Sequence, residues 1–217
     1  MTAKLVLIAL FVFCMIIMSL NHGRRKKKIL FLGESINDMD KRPGGFVSWV
    51  MQGINEDSLE GRYQVTQSLR SGEKIYDLYL CIDENLQVKE SNIVVLHIGV
   101  HDVWDKYLKG TGTSLKTFKH VLQAVINKLL TYQVKIMICV PDPMLQPGFS
   151  DTMLSDFYDY AQAIKTVCEQ NQLACIELEN IFEKAAVGHY DDPAEFNVNK
   201  ALGVHIWRMI KEATSIV

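Results

Sequence analysis

Four short stretches hold residues whose types and order could do chemistry. The first is Gly33-Glu34-Ser35, at the end of the apolar run Ile29 to Gly33. A serine directly behind a strand is either a helix N-cap or a nucleophile, because backbone N–H groups at a helix start can stabilise an oxyanion. The second is Gly72 in "RSGEKI", where a glycine lets the backbone N–H approach a substrate oxygen. The third is Gly99-Val100-His101-Asp102, which puts His101 at another strand end. The fourth is "HYDDPAEFN", with Asp191, Asp192 and Glu195 in a loop before the last helix. Taken singly, each has a bland reading: a cap, a turn, a structural histidine, a solvated acidic turn.

The elements that must position them follow from hydrophobic periodicity. Short β-branched runs at 29–33, 63–69, 92–99, 134–140 and 174–179 read as strands. Between and after them, 44–54, 73–82, 114–132, 155–171 and 199–216 carry a helical period. Leu115, Phe118, Val121, Leu122, Val125, Ile126 and Leu129 form one apolar stripe. The run "NIVVLHIG" is apolar throughout, as a strand covered on both faces must be. Alternation of this kind predicts a parallel sheet in an α/β sandwich, with ligands outside the C-terminal strand ends. No GxGxxG or GxxxxGK phosphate loop occurs, which argues against a nucleotide-binding domain.

The four marks together resemble the SGNH (GDSL-type) hydrolase family over essentially all of 29–217. "FLGESIND" is similar to that family's first block, with Ser35 at the nucleophile position and Glu34 where Asp is usual. "GGFVSWV" resembles the helix that often follows. Gly72 matches the second-block glycine, "VVLHIGVHD" the third block, and "ICVPDPM" the end of the fourth strand. The resemblance implies a flavodoxin-like three-layer α/β/α sandwich with a five-stranded parallel sheet, and no cofactor or metal. It implies Ser35 as nucleophile, with the Ser35 and Gly72 backbone N–H groups and His101 as the oxyanion hole, and Asp192 orienting the base. Two departures stand out. His101 replaces the asparagine of block three, and Glu195 occupies the position of the catalytic histidine, three residues after Asp192. A carboxylate of ordinary pKa near ~4.3 is a poor base for an alcohol. His101 is the candidate for a substitute base, with an acid such as Asp192 orienting it. His189 lacks a fixed place, His97, His120 and His205 read as structural, and His22 belongs to the N-terminal segment. Two functions are therefore open: an esterase acting on an acyl lipid or acetylated carbohydrate, or an inactive SGNH-like domain serving as a membrane-tethered binding or scaffold module.

Composition bounds the rest. A net charge of -2 gives no electrostatic argument for nucleic acid. Leu5 to Leu20 is uncharged with one polar residue, Ser19, and at ~1.5 Å per residue spans about 24 Å. Arg24, Arg25, Lys26, Lys27 and Lys28 follow it. A retained single-pass anchor fits better than a cleaved signal peptide, since no small-x-small site precedes this basic block. The positive-inside rule puts the following domain in the cytosol, and the block suits anionic lipid headgroups. Cys14, Cys81, Cys139, Cys168 and Cys175 show neither zinc spacing nor the density of a disulfide scaffold, and read as structural. The expected organisation is an anchor at 1–23, a basic linker at 24–28 and a domain at 29–217.

Overall fold

The computed structural model describes residues 25–35, 45–141, 150–177 and 198–214. The expected anchor, together with His22, Arg24, His189, Asp191, Asp192 and Glu195, lies outside these residues. Among the described residues no helix is long and apolar enough to cross a membrane.

Five strands, β1 (Lys27–Glu34), β2 (Tyr63–Arg70), β3 (Ile93–His97), β4 (Lys135–Val140) and β5 (Ala174–Glu177), form one sheet. All pairings are parallel, in the order β2-β1-β3-β4-β5. The helices are α1 (Phe46–Glu56), α2 (Ile75–Cys81), α3 (Leu86–Glu90), α4 (Val100–Leu108), α5 (Leu115–Thr131), α6 (Asp151–Asn171) and α7 (Val198–Thr214), with a 3-10 turn at Ile82–Glu84.

Strand alternation sorts them into layers. In β1, Ile29 and Phe31 share a core with Phe46, Val50 and Ile54 of α1 and Leu202, Ile206 and Trp207 of α7. Leu30 and Leu32 point the other way, into a larger core with α2, α4, α5 and α6. Phe118 and Tyr160 meet there with ring centroids 4.9 Å apart. The sheet is thus covered on both faces at its centre, which is why β1, β3 and β4 read as continuous apolar runs while the edge strands β2 and β5 are only half-buried.

The expected basic linker is shorter than its sequence suggests. Lys27 and Lys28 belong to β1, pairing with Tyr63 and Gln64. The Lys28 backbone N–H donates to Asn92 Oδ1 at 2.8 Å, and its ammonium meets Glu90 at 2.6 Å. Charge concealed this strand start, because edge-of-core lysines pair their backbones while their side chains reach solvent.

The order 2-1-3-4-5 reverses direction between β1 and β3, so a crevice must open beyond their C-terminal ends. Ser35 directly follows β1, and Gly99 lies two residues past β3.

Candidate functional site

β1 ends in the buried pair Glu34 and Ser35. The Glu34 carboxylate is fully buried yet well satisfied. Its Oε1 accepts from the Val100 backbone N–H at 2.6 Å, and its Oε2 from the His101 backbone N–H at 2.8 Å. The His101 ring adds a third bond, Nδ1 to Oε2 at 2.9 Å. Val100 and His101 are the first residues of α4, whose N-cap, Gly99, offers no side chain and turns the chain at φ +117°. The orphan amides of that helix start are therefore capped by a carboxylate 66 residues away in sequence, and the helix dipole favours the negative charge.

His97 sits on the same group from β3. Its Nδ1 is 3.1 Å from the Glu34 carbonyl oxygen. A carbonyl can only accept, so His97 Nδ1 carries the proton. Its buried Nε2, which has no hydrogen-bond partner among the described residues, then presents a lone pair rather than a stranded donor. His97 is structural, as its place inside a strand predicts.

His101 is different. Its ring is partly exposed and stacks near Trp104, centroids 6.1 Å apart and planes 12° apart. The hydrogen bond that its Nδ1 donates to Glu34 raises its pKa, burial works against this, and the charges of Glu34 and Asp105 raise it further while Lys109 lowers it. Nδ1 is committed to Glu34, which leaves Nε2 as the nitrogen of the ring not engaged by that carboxylate. The acid in contact with His101 Nδ1 is Glu34. Asp192, expected in that role, lies outside the described residues.

Asp102, one residue on, ties the second mark to the third. Its carboxyl is fully buried and accepts from the Ile75 N–H at 3.0 Å, at the start of α2. Burial pushes its pKa up to about 7, a side-chain hydrogen bond with Thr113 works against this, and the Glu34 charge adds to the rise; among the described residues its Oδ1 has no hydrogen-bond partner. Gly72 occupies the turn just before α2 with φ +76°. Lys74 holds the same turn through Thr111 O at 3.2 Å and Asp105 at 3.8 Å. The Gly33–Ser35, Gly72 and Gly99–Asp102 stretches thus converge on the crevice.

One expected oxyanion donor is occupied. The Ser35 backbone N–H donates to Arg70 O at 3.0 Å, because Arg70 ends β2 alongside Glu34 and the ladder runs one residue past the strand. His101 likewise spends its backbone N–H and Nδ1 on Glu34, so only its Nε2 is left to face a substrate. Cys139 and Cys168 are buried, and Cys81 and Cys175 half-buried, all as free thiols. Among the described residues no group of three His, Cys, Asp or Glu converges in a way that could hold a metal ion.

No family model matches the chain. The acetylxylan esterase of Geobacillus stearothermophilus is 21% identical over 173 residues, covering 73% of this chain and 78% of that enzyme. A solved acetyl xylan esterase superposes with a TM-score of 0.70 at 26% identity, over 88% of this chain and 100% of its own. The fold is that of the SGNH hydrolases, and the chain is a homologue of acetylxylan esterases. The solved Geobacillus enzyme agrees, with a TM-score of 0.70 at 19% identity over 89% of this chain and 97% of its own. An α/β hydrolase from the metagenome of Lake Arreo, Spain, gives 0.70 at 17% identity, over 87% and 95%. Catalytic mutants of the Geobacillus esterase alter a serine, an aspartate and a histidine, the last two three positions apart. Asp192 and Glu195 keep that separation in this chain, with glutamate in the second place.

Proposed function

We propose that the protein is an SGNH-type serine esterase that removes small acyl groups, such as acetyl, from a hydroxylated substrate such as a carbohydrate. The observation that carries this reading is the placement of Ser35 at the β1/β3 crevice, one residue from the carboxylate that holds the His101 imidazole. The acetylxylan esterases with which the fold is shared support the acyl group. Ser35 Oγ attacks the ester carbonyl carbon, and its proton passes to His101 Nε2. The tetrahedral intermediate collapses with loss of the C–O bond to the alcohol, which takes the proton from Nε2. Water then attacks the acyl-serine, gives its proton to Nε2, and releases the carboxylic acid as Ser35 recovers its proton.

The test is a fluorophosphonate probe followed by intact mass. Wild type gains one adduct between about pH 6 and 9, where a histidine base becomes neutral, and Ser35→Ala gains none. No adduct on wild type across that range overturns the reading. Ser35→Ala should lower ester hydrolysis by a factor on the order of 10⁶.

A second reading, an SGNH-like binding module without catalysis, is favoured by the burial of Ser35, which is 1% exposed, and by its occupied N–H. Glu195→His separates the two: an inert cleft missing only its base should gain esterase activity.

The segment 1–23 is a membrane anchor in this reading, and Arg24 to Lys28 contact anionic headgroups, with the domain on the cytosolic side. The support is the apolar run itself and a cleft at the N-terminal end of the sheet, away from Ser35, lined by Arg25, Lys26, Lys27 and Lys28 together with Gln64, Asn92 and Glu90, the last paired with Lys28. Protection from added protease in cytosol-side-out vesicles contradicts that sidedness.

A further inference from the structure

We propose that Glu34 is the positioning residue for His101, so that blocks one and three together supply an acid–imidazole pair for Ser35 in place of the residue at 195. The proposal rests on the esterase reading and adds to it which acid serves the base and which ring nitrogen moves the proton.

Three observations carry it. The Glu34 carboxylate is fully buried and fixed by two helix-start amides, so it is a rigid acceptor. His101 gives its Nδ1 to that acceptor at 2.9 Å, which settles the tautomer in the neutral ring: proton on Nδ1, lone pair on Nε2. The ring is pinned on one side by this bond and stacks near Trp104. A neutral imidazole held by an acid at Nδ1 is the arrangement a serine base requires, because a ring in the other tautomer cannot accept the serine proton at Nε2. The chain's first two departures from the SGNH pattern, Glu for Asp at 34 and His for Asn at 101, are thus in direct contact. The third, at 195, removes the histidine that this pair replaces.

The groups around the ring act in one direction on balance. Glu34 from β1 and Asp105 from α4 favour its charged form, and Lys109 from α4 opposes it. His97 from β3 also lies on Glu34, with Nδ1 3.8 Å from Oε1, but its proton is directed to the backbone carbonyl. Lys74, before α2, is 3.8 Å from Asp105 and blunts that charge.

The experiment uses the full-length chain labelled with ¹⁵N in its histidine rings, and reads the tautomer and titration midpoint of His101 by long-range ¹H–¹⁵N correlation, with His101→Gln assigning the resonance. The expected result is a neutral ring protonated at Nδ1 with a midpoint above 6.5, and a lower midpoint in Glu34→Gln. On an activated acetyl ester, kcat/KM should rise with pH through the His101 midpoint. In Glu34→Gln that limb should move to lower pH while the plateau falls by about 10³ to 10⁴. An Nε2-protonated ring in wild type overturns the proposal, whether or not Glu34→Gln folds. So does a midpoint that Glu34→Gln leaves in place. The wrong tautomer in a protein whose Ser35 labels sinks only this proposal. The right tautomer in a protein whose Ser35 never labels sinks the esterase reading instead.

Discussion

Asp102 makes the sharpest thermodynamic prediction. Its carboxyl is buried and carries a pKa of about 7 against an ordinary 3.8, with burial as the main cause. A raised folded-state value means the folded protein holds the proton more tightly than the unfolded chain. The group's favourable contribution is therefore complete below about pH 3.8 and is lost as pH rises through about 7. At ~1.36 kcal/mol per tenfold change in proton affinity, the whole loss is on the order of 4 kcal/mol. Roughly 2.5 kcal/mol of it falls between pH 5 and 8. Asp102→Asn keeps the shape and an oxygen for the Ile75 N–H, but it cannot ionise. Urea unfolding of both proteins at pH 5 and pH 8 isolates the effect, since His101 and the other titrating groups are common to both. The variant should gain on wild type by roughly 2.5 kcal/mol between the two pH values, and be the more stable protein at pH 8. A stability gap that stays constant from pH 5 to 8 refutes the argument, because it would mean that Asp102 carries the same charge at both.

Two substitutions probe the frame that holds the site. Gly33 has φ +112°, and an added Cβ there would overlap the His97 carbonyl oxygen, which belongs to the neighbouring strand and cannot yield without breaking the ladder. Gly33→Ala should cost about 3 kcal/mol or more and lower the urea midpoint accordingly. Phe118 is fully buried against Tyr160 and Gly99, so Phe118→Ala should cost about 3–5 kcal/mol and leave a cavity under the start of α4. A loss below 1 kcal/mol at position 118 would show that α4 and α5 close over the gap.

The three central strands were legible as apolar runs covered on both faces, and the half-buried edge strands β2 and β5 by their short β-propensity runs; the observed limits differ from the sequence reading by a few residues at most. The long helices α5, α6 and α7 were legible by their apolar stripes, although α6 starts at Asp151, four residues before its reading as 155–171. Its true start is set by Ser150, whose hydroxyl accepts from the Met153 N–H. Two helices were not legible. In α3 five residues are too few for a period, and its cap is Asn85, accepting from Gln87 at 3.0 Å. In α4 the buried face carries Asp102 and Asp105 beside Val100 and Val103, so charge hides the apolar repeat.

The harder case is the site itself. Sequence alone brings Ser35, Gly72 and His101 to neighbouring strand ends, since topology does that much, but it gives no direction to a side chain. His101 as base and His101 as oxyanion donor are indistinguishable until its Nδ1 is found on Glu34. Nor does the local sequence show that α4 has a cap, because Gly99 supplies none and the carboxylate comes from β1. These two omissions have one physical cause. The carboxylate that caps the start of α4 is also the one that accepts from the His101 ring, so a single buried group sets both the helix start and the direction of that ring. It follows that position 34 and position 101 cannot be weighed as separate departures from the SGNH pattern. An asparagine at 101 would leave Glu34 as a helix cap with no imidazole to orient. A glutamine at 34 would keep one acceptor oxygen where three N–H groups now converge on two.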